Sequence, residues 1–187
     1  MLHMGAGVLV EYSPPLLNNM LWLEAGYALD FLKLSGDDQV SYLIHDAQIS
    51  ASARFHLLPN KNGDPMVLGV KAGYSFFYLQ NTATEGLYRY PMVYAPVFGF
   101  TARDNLIGRF TEHSFFRTLL FRLDGDFSFL PNSAGNMFAA NIYFRIDYFF
   151  NDRMGIYLAD RLKMHFAGGT AEIFNWIDIG FVMKLDF

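Results

Sequence analysis

The stretch DAQISASARFHL, residues 46–57, alternates strictly between two kinds of side chain. Its odd-numbered positions, from Ala47 to Leu57, are all apolar, and its even-numbered positions, from Asp46 to His56, are all polar. Successive side chains of a β-strand point to opposite faces, so this pattern predicts a strand that separates two different environments. Which of the two faces meets water decides what kind of protein this is.

The same alternation recurs along most of the chain. Turn-forming residues such as those of 58–65 and 130–136 separate the alternating segments. No linker, charge run or shift in composition marks a second domain, so the sequence predicts a single all-β domain spanning residues 1–187. The alternation is clear in 20–32, 46–57, 68–78, 118–129, 138–150, 154–166 and 176–187, and weaker in 4–12 and about 92–103.

The composition is unusual for a soluble domain. Of the 187 residues, 52% are hydrophobic and 18% aromatic, whereas only 17% are charged, against about 25% in typical soluble proteins. The formal net charge of −4 gives no basic footprint, so nucleic acid is not an expected partner. The chain has no cysteine and no histidine or carboxylate cluster with metal-ligand spacing, so neither a metal nor another cofactor is expected.

Strand length and face composition predict where water lies. Soluble strands usually run for about five or six residues, whereas a tilted strand that crosses a bilayer needs about 9–11. The segments of this chain are long enough to cross, and their apolar faces carry bulky Leu, Ile, Phe and Tyr. Their opposite faces carry small residues and charges of both signs, which suits a confined interior. The pattern therefore predicts a closed barrel with lipid outside, and the polar face of residues 46–57 inside.

The charged residues on the polar faces are predicted to form a network in the barrel lumen. Their signs nearly cancel, as a crowded interior requires. Two pairs, Arg122/Asp124 and Arg145/Asp147, could form a constriction that selects ions, or a pairing network that fills a narrow barrel; we favour the second. The predicted network comprises Glu24, Asp30, Asp46, Arg54, Lys71, Arg122, Asp124, Asp126, Arg145, Asp147, Arg161, Lys163, Asp178 and Lys184.

The last segment, IDIGFVMKLDF (177–187), ends on Phe187 and has an apolar residue at every second position before it. It resembles the final strand of bacterial outer-membrane β-barrel proteins. The resemblance implies a Gram-negative type of cell envelope, a porin-like transmembrane barrel surrounded by outer-membrane lipids, and a last strand that ends on the periplasmic side. It also implies that the barrel assembly machinery recognises Phe181, Met183, Leu185 and Phe187.

Barrels of this family have an even number of antiparallel up-and-down strands. We count nine candidate strands, so either 4–12 is not a full strand or one strand is missed. Chain length favours eight strands. Ten is the alternative, if a further strand precedes Met1 or lies within 80–114.

The five histidines offer little support for catalysis. Glu112, His113 and Ser114 are consecutive, and neighbours in an extended chain point to opposite faces, so they cannot form a catalytic relay among themselves. His56 and His165 are predicted to face inward near strand ends, where they could join Ser50, Ser52 or aspartates across strands. No hydrolase motif surrounds either histidine, and we assign no catalytic residue.

The sequence therefore predicts a non-enzymatic outer-membrane protein with a structural or partner-docking role and a largely filled, charged lumen. A protein partner could bind through the loops 81–94 or 104–114. Asp160, alone on an apolar row, lies near the membrane interface or meets a partner. The alternatives are a narrow pore for small solutes or ions, an outer-leaflet lipid-modifying enzyme and, at the level of the fold, a soluble lipocalin-like barrel.

Overall fold

The structure, a computed structural model, describes residues 4–14, 20–33, 41–59, 65–81, 92–105, 118–132 and 135–185. The prediction of an all-β fold is confirmed, because every alternating segment forms a strand, including the two weaker ones. The strands are β1 (Met4–Tyr12), β2 (Leu21–Lys33), β3 (Ser41–Pro59), β4 (Pro65–Asn81), β5 (Met92–Asp104), β6 (Leu119–Asn132), β7 (Gly135–Phe149), β8 (Met154–Ala167) and β9 (Thr170–Leu185).

The strands form a closed barrel in sequence order, and consecutive strands are antiparallel. The prediction of eight strands is wrong, since the described residues form nine. Strand β1 pairs along its length with β2 on one side and with β9 on the other. Because strand direction alternates, the first and ninth strands run the same way, and the barrel closes through a parallel β1–β9 pair. The parts of 80–114 where a tenth strand could lie, 82–91 and 106–114, fall outside the described residues.

The two faces of β3 separate as the alternation of residues 46–57 predicts. Ile49 and Phe55 point outward and are 63% and 49% exposed, whereas Ser52 and Arg54 point into the barrel and are almost fully buried. The other strands repeat this arrangement, with large apolar side chains outside and polar ones inside. The polarity of the barrel is therefore the reverse of that of an ordinary globular domain, with apolar side chains outside and polar ones inside.

One end of the barrel interior is apolar. Here β8 and β9 are joined by Gly168 and Gly169, whose φ angles of 55° and 80° permit a two-residue hairpin loop. Phe77 lies near the centre of the packed side chains, with its ring 5.0 Å from that of Phe174 and 6.3 Å from that of Trp176. We call this cluster the plug, and this end of the barrel the plug end. The plug comprises Tyr42, Ile44, Phe77, Leu79, Val93, Met137, Ala167, Phe174 and Trp176.

The opposite end, where β9 terminates, contains an open cavity of about 570 Å³. We call it the cavity end. Between the plug and the cavity lies a layer of charged side chains, which we call the charged layer. Small residues make room for large ones there: a Cβ atom at Gly180 would lie 2.6 Å from the hydroxyl oxygen of Tyr157. The interior thus has three successive zones, which are apolar, ionic and open.

Candidate functional site in the barrel lumen

Two walls of opposite charge face each other across the charged layer. Arg103, Arg122 and Arg145 stand side by side in register on β5, β6 and β7. Glu11 and Glu24 stand side by side on β1 and β2. Like charges directly opposite on neighbouring strands repel one another. Each wall is therefore stabilised by the other, and the ion pairs connect strands on opposite sides of the barrel.

Glu11 is the centre of this arrangement. Its Oε1 atom lies 2.8 Å from Nη2 of Arg145 and 3.2 Å from Nη1 of Arg122, and its Oε2 atom lies 3.3 Å from Nη1 of Arg103. Its side chain has no exposed surface. One buried carboxylate thus accepts charge-assisted hydrogen bonds from three guanidinium groups, and the bond from Arg145 is the shortest of the three.

Glu24 completes the acidic wall. Nη2 of Arg122 donates to Oε1 of Glu24 at 2.7 Å, and Nη1 of Arg122 also contacts Oε2. Nη2 of Arg54 donates to Oε2 of Glu24 at 3.2 Å. Arg54 therefore joins the charged layer from the side of the cavity.

The two arginine–aspartate pairs singled out in the sequence do form contacts. Arg122 binds Asp124 through two parallel hydrogen bonds, Nε to Oδ1 at 2.9 Å and Nη2 to Oδ2 at 2.6 Å. Arg145 lies against Asp147, with 2.7 Å between Nε and Oδ1. Each pair is formed within one strand, since residues two apart share a face. The aspartates thus hold the arginines that the glutamates contact from across the lumen.

A second cluster lies nearer the plug. Asp46 accepts from Nη1 of Arg161 at 2.6 Å and from Nζ of Lys163 at 2.5 Å. Arg161 also contacts Asp178. Asp178 and Asp30 lie in register on either side of Gly5, and both are buried. Asp46 and Asp178 are ion-paired with Arg161 and Lys163, whereas both oxygens of Asp30 are buried without a hydrogen-bond partner among the described residues.

The remaining members of the predicted set lie in the same interior. Nζ of Lys71 is 2.7 Å from Oδ2 of Asp126. Lys184 is partly buried at the cavity end, with its Nζ 3.7 Å from the centre of the Phe149 ring. The predicted set is brought into one lumen, although it is divided along the axis into several clusters.

The sequence pattern missed Glu11 and Arg103. Both lie in the two segments where alternation is weakest, 4–12 and 92–103. A charged residue between apolar neighbours, as Glu11 is between Val10 and Tyr12, was the available signal. The sequence did not show that Glu11 contacts three arginines, because those contacts depend on which side chains stand across the lumen.

The charged layer leaves little free space. A void of about 50 Å³ remains beside Arg122, Arg145 and Arg161, enough for a few water molecules bound to polar groups. The layer can therefore hold water and redistribute hydrogen bonds locally. It has the character of a packed ionic core.

Among the described residues, the two histidines predicted to face inward lie at opposite ends of the barrel. His165 lies beside the plug, with its ring 5.2 Å from that of Phe77. His56 lines the cavity at the opposite end. The two therefore cannot act on one substrate. The triplet 112–114 falls outside the described residues, as does most of the two candidate partner loops, 81–94 and 104–114.

Asp160 points outward from the middle of β8, and its side chain is exposed. Nδ2 of Asn175, on the outer face of β9, donates to its Oδ1 at 3.0 Å. The residue lies near the middle of its strand, and the expectation that it lies near a membrane interface or meets a partner stays a prediction. It forms a small polar pair on a largely apolar outer wall, which also carries the hydrogen-bonded Tyr27, His45 and Gln80.

Within the described ranges, no group of three histidine, cysteine, aspartate or glutamate side chains is arranged to hold a metal ion. Likewise, no helix of the residues that the structure describes is long and apolar enough to span a membrane. The chain matches no protein-family model, no curated protein and no solved structure. Its function has to be argued from the geometry of the barrel itself.

Proposed function

We propose that the chain is an integral outer-membrane β-barrel protein with a filled lumen, which serves a structural or partner-docking role. The observation that carries this proposal is the inverted polarity of the barrel. Ile173 and Phe98 are 65% and 63% exposed on the outside, whereas Arg145 and Asp178 are fully buried inside. Exposure of apolar surface to water costs about 25 cal/mol per Å². A surrounding bilayer removes that cost for the whole outer wall.

The backbone geometry supports the same proposal. A strand within a bilayer has to satisfy all of its N–H and C=O groups inside the protein, which closure of the sheet achieves. The strands run from 9 residues in β1 to 19 in β3, and a tilted crossing needs about 9–11. Every strand is therefore long enough to cross the hydrocarbon core.

Two features of the lumen favour a filled barrel over a pore. The plug packs large apolar side chains into one end, and Trp176, Phe77 and Ile44 are almost fully buried there. The charged layer pairs most of its acids with bases and leaves only the small void described above. A hydrated ion would have to separate buried ion pairs to pass, so the charges serve better as packing than as a selectivity filter.

The folded protein in a planar bilayer is expected to show no discrete ohmic current steps, because the plug and the charged layer block the axis. The measurement is single-channel recording on protein whose β-sheet content has been checked by circular dichroism. Discrete steps whose size changes in Arg145→Ala would contradict the filled lumen and favour the pore. The matched control is Arg153→Ala, an exposed arginine outside the lumen.

A docking role is supported by the pair Asp160 and Asn175. Polar groups facing hydrocarbon are costly and are usually paired, and these two pair with each other halfway along the outer wall. A partner in the membrane with a hydrogen-bonding group at the same depth would gain from contact with them.

The final strand is proposed to be the assembly signal, since Phe181 and Met183 point outward and are exposed. Replacing Phe187 by alanine is expected to slow insertion of the barrel in cells. The measurement is the rate at which newly made protein acquires a protease-resistant folded form. Phe150→Ala is the matched control, an exposed aromatic residue at the cavity end but outside the final strand. Equal rates for both variants would contradict the role of the terminal phenylalanine.

A further inference from the structure

The cavity at the end where β9 terminates has a mixed lining. Its volume of about 570 Å³ lies within the range of about 300–1,000 Å³ typical of small-molecule sites. Trp22, Phe149, Val67 and Leu120 contribute apolar surface to it. The lining includes inward-facing side chains from several strands, so the cavity lies in the lumen at this end of the barrel. A ligand would therefore enter from water.

Arg54 lines this cavity and is only 1% exposed. Its Nη2 group is engaged by Glu24, whereas Nε and Nη1 are buried and have no hydrogen-bond partner among the residues that the structure describes. Buried guanidinium N–H groups ordinarily have acceptors. Two donors of a buried cation beside the cavity thus lack an acceptor, and an anionic group bound at this side of the cavity would supply one.

Aromatic rings hold the neighbouring cations in place. The guanidinium carbon of Arg54 lies 4.0 Å from the centre of the Trp22 ring, and that of Arg103 lies 5.5 Å from it. Lys184 covers the face of Phe149. The cavity lining also includes the carboxylates of Asp104 and Asp152. Cations stacked on flat rings make a surface that suits a planar anion, because the rings contact its body while the cations attract its charge.

We propose that this cavity binds a small, water-soluble organic anion, a carboxylate or phosphate monoester on a flat apolar body. The acid group accepts hydrogen bonds from Arg54, and the body packs against Trp22 and Phe149. This inference goes beyond the proposed function, since neither a structural nor a docking role requires a ligand inside the barrel.

The test uses the full chain folded in detergent micelles, with phenyl phosphate as the probe and isothermal titration calorimetry as the readout. We expect saturable binding in the low millimolar range or tighter. Benzyl alcohol, which has the ring without the charge, is expected to show none. Equal binding of phenyl phosphate and benzyl alcohol would overturn the proposal, because it would show that both compounds only partition into apolar surface.

Tryptophan fluorescence gives an independent readout. The chain has two tryptophans, and Trp176 is fully buried in the plug at the far end. Phenyl phosphate is expected to change the emission of the native protein, and Trp22→Phe is expected to abolish that change. A change that persists in Trp22→Phe would place the probe elsewhere and overturn the proposal.

Two variants test the site, one by removing the charge of Arg54 and the other by filling the cavity. Arg54→Gln removes the charge and is expected to weaken binding of phenyl phosphate at least tenfold. Because that substitution also disturbs Glu24, Val67→Trp provides a second variant, which fills the cavity and leaves the ion pairs intact; it is expected to weaken binding to a similar extent. Arg153→Gln, at the same end but outside the cavity lining, is expected to bind as the native protein does.

Native affinity in both Arg54→Gln and Val67→Trp, or absence of saturable binding to the native protein, would overturn the anion site. Either result would leave the conductance and insertion measurements unaffected. Failure of the ligand proposal is therefore distinguishable from failure of the membrane proposal.

Discussion

Replacing Glu11 by glutamine is expected to lower the free energy of unfolding by about 3–5 kcal/mol, the range found when one partner of a buried ion pair is removed. Glutamine keeps the size of the side chain but removes its charge. Arg103, Arg122 and Arg145, which stand side by side on three neighbouring strands, then face Glu24 as the nearest acid of the opposite wall. The repulsion among the three arginines is then offset only by Glu24, Asp124 and Asp147.

The measurement is denaturant unfolding of the barrel in phospholipid vesicles, followed by tryptophan fluorescence. Asp152→Asn is the matched control, since Asp152 is an exposed acid in the β7–β8 turn. Surface substitutions of that kind usually change stability by no more than about 0.5 kcal/mol. A loss below about 1 kcal/mol for Glu11→Gln would show that the arginine wall does not depend on the glutamates.

Replacing Ile142 by arginine is expected to cost about 2–4 kcal/mol of stability in vesicles, the cost of a basic residue at the bilayer midplane. Ile142 is 45% exposed on the outer wall, and its position near the middle of β7 places it far from both ends of the barrel. A charged group there has no water to solvate it when lipid surrounds the wall.

The matched variant is Met154→Arg. Met154 is 46% exposed on the same outer face, but it is the first residue of β8. Near an interface the cost is about 0–1 kcal/mol. Unfolding of both variants in vesicles gives the comparison. In a barrel surrounded by water the two exposed positions would tolerate arginine equally, so equal costs would contradict the membrane proposal.

The alternation of the sequence was enough to predict which side chains face inward, because a period of two is a local property of the strand. Residues 46–57 show this most clearly. Alternation does not say how high along the axis a residue stands or what it meets across the lumen. The contact between Glu11 and Arg145 joins positions 134 apart in the chain, and it depends on the stagger of every strand between them. The charged layer could therefore be predicted as a set, but not as two facing walls.

Large aromatic residues at inward-facing positions were a sequence signal for the plug and the cavity. Phe77 and Trp176 occupy positions of inward parity, where most neighbours are small or charged. Trp22 does the same at the opposite end. Large aromatic residues at inward positions mark the two ends of the lumen, but only the strand register shows which of them share an end. All nine strands were visible as candidate segments; the prediction of eight followed from the even strand number of the family that the last segment resembles, which set aside the weak segment 4–12.

The parallel pairing of β1 with β9 puts the start of β1 and the end of β9 at opposite ends of the barrel. Strand β1 begins at the plug end and β9 finishes at the cavity end. A polypeptide joined ahead of β1 would emerge at one surface, and a polypeptide joined after β9 would emerge at the other. A barrel with an even number of strands brings both ends to the same rim. In this odd-numbered barrel the start of β1 and the end of β9 instead lie at opposite rims, so partners joined to these two strand ends would be held apart by the length of the barrel.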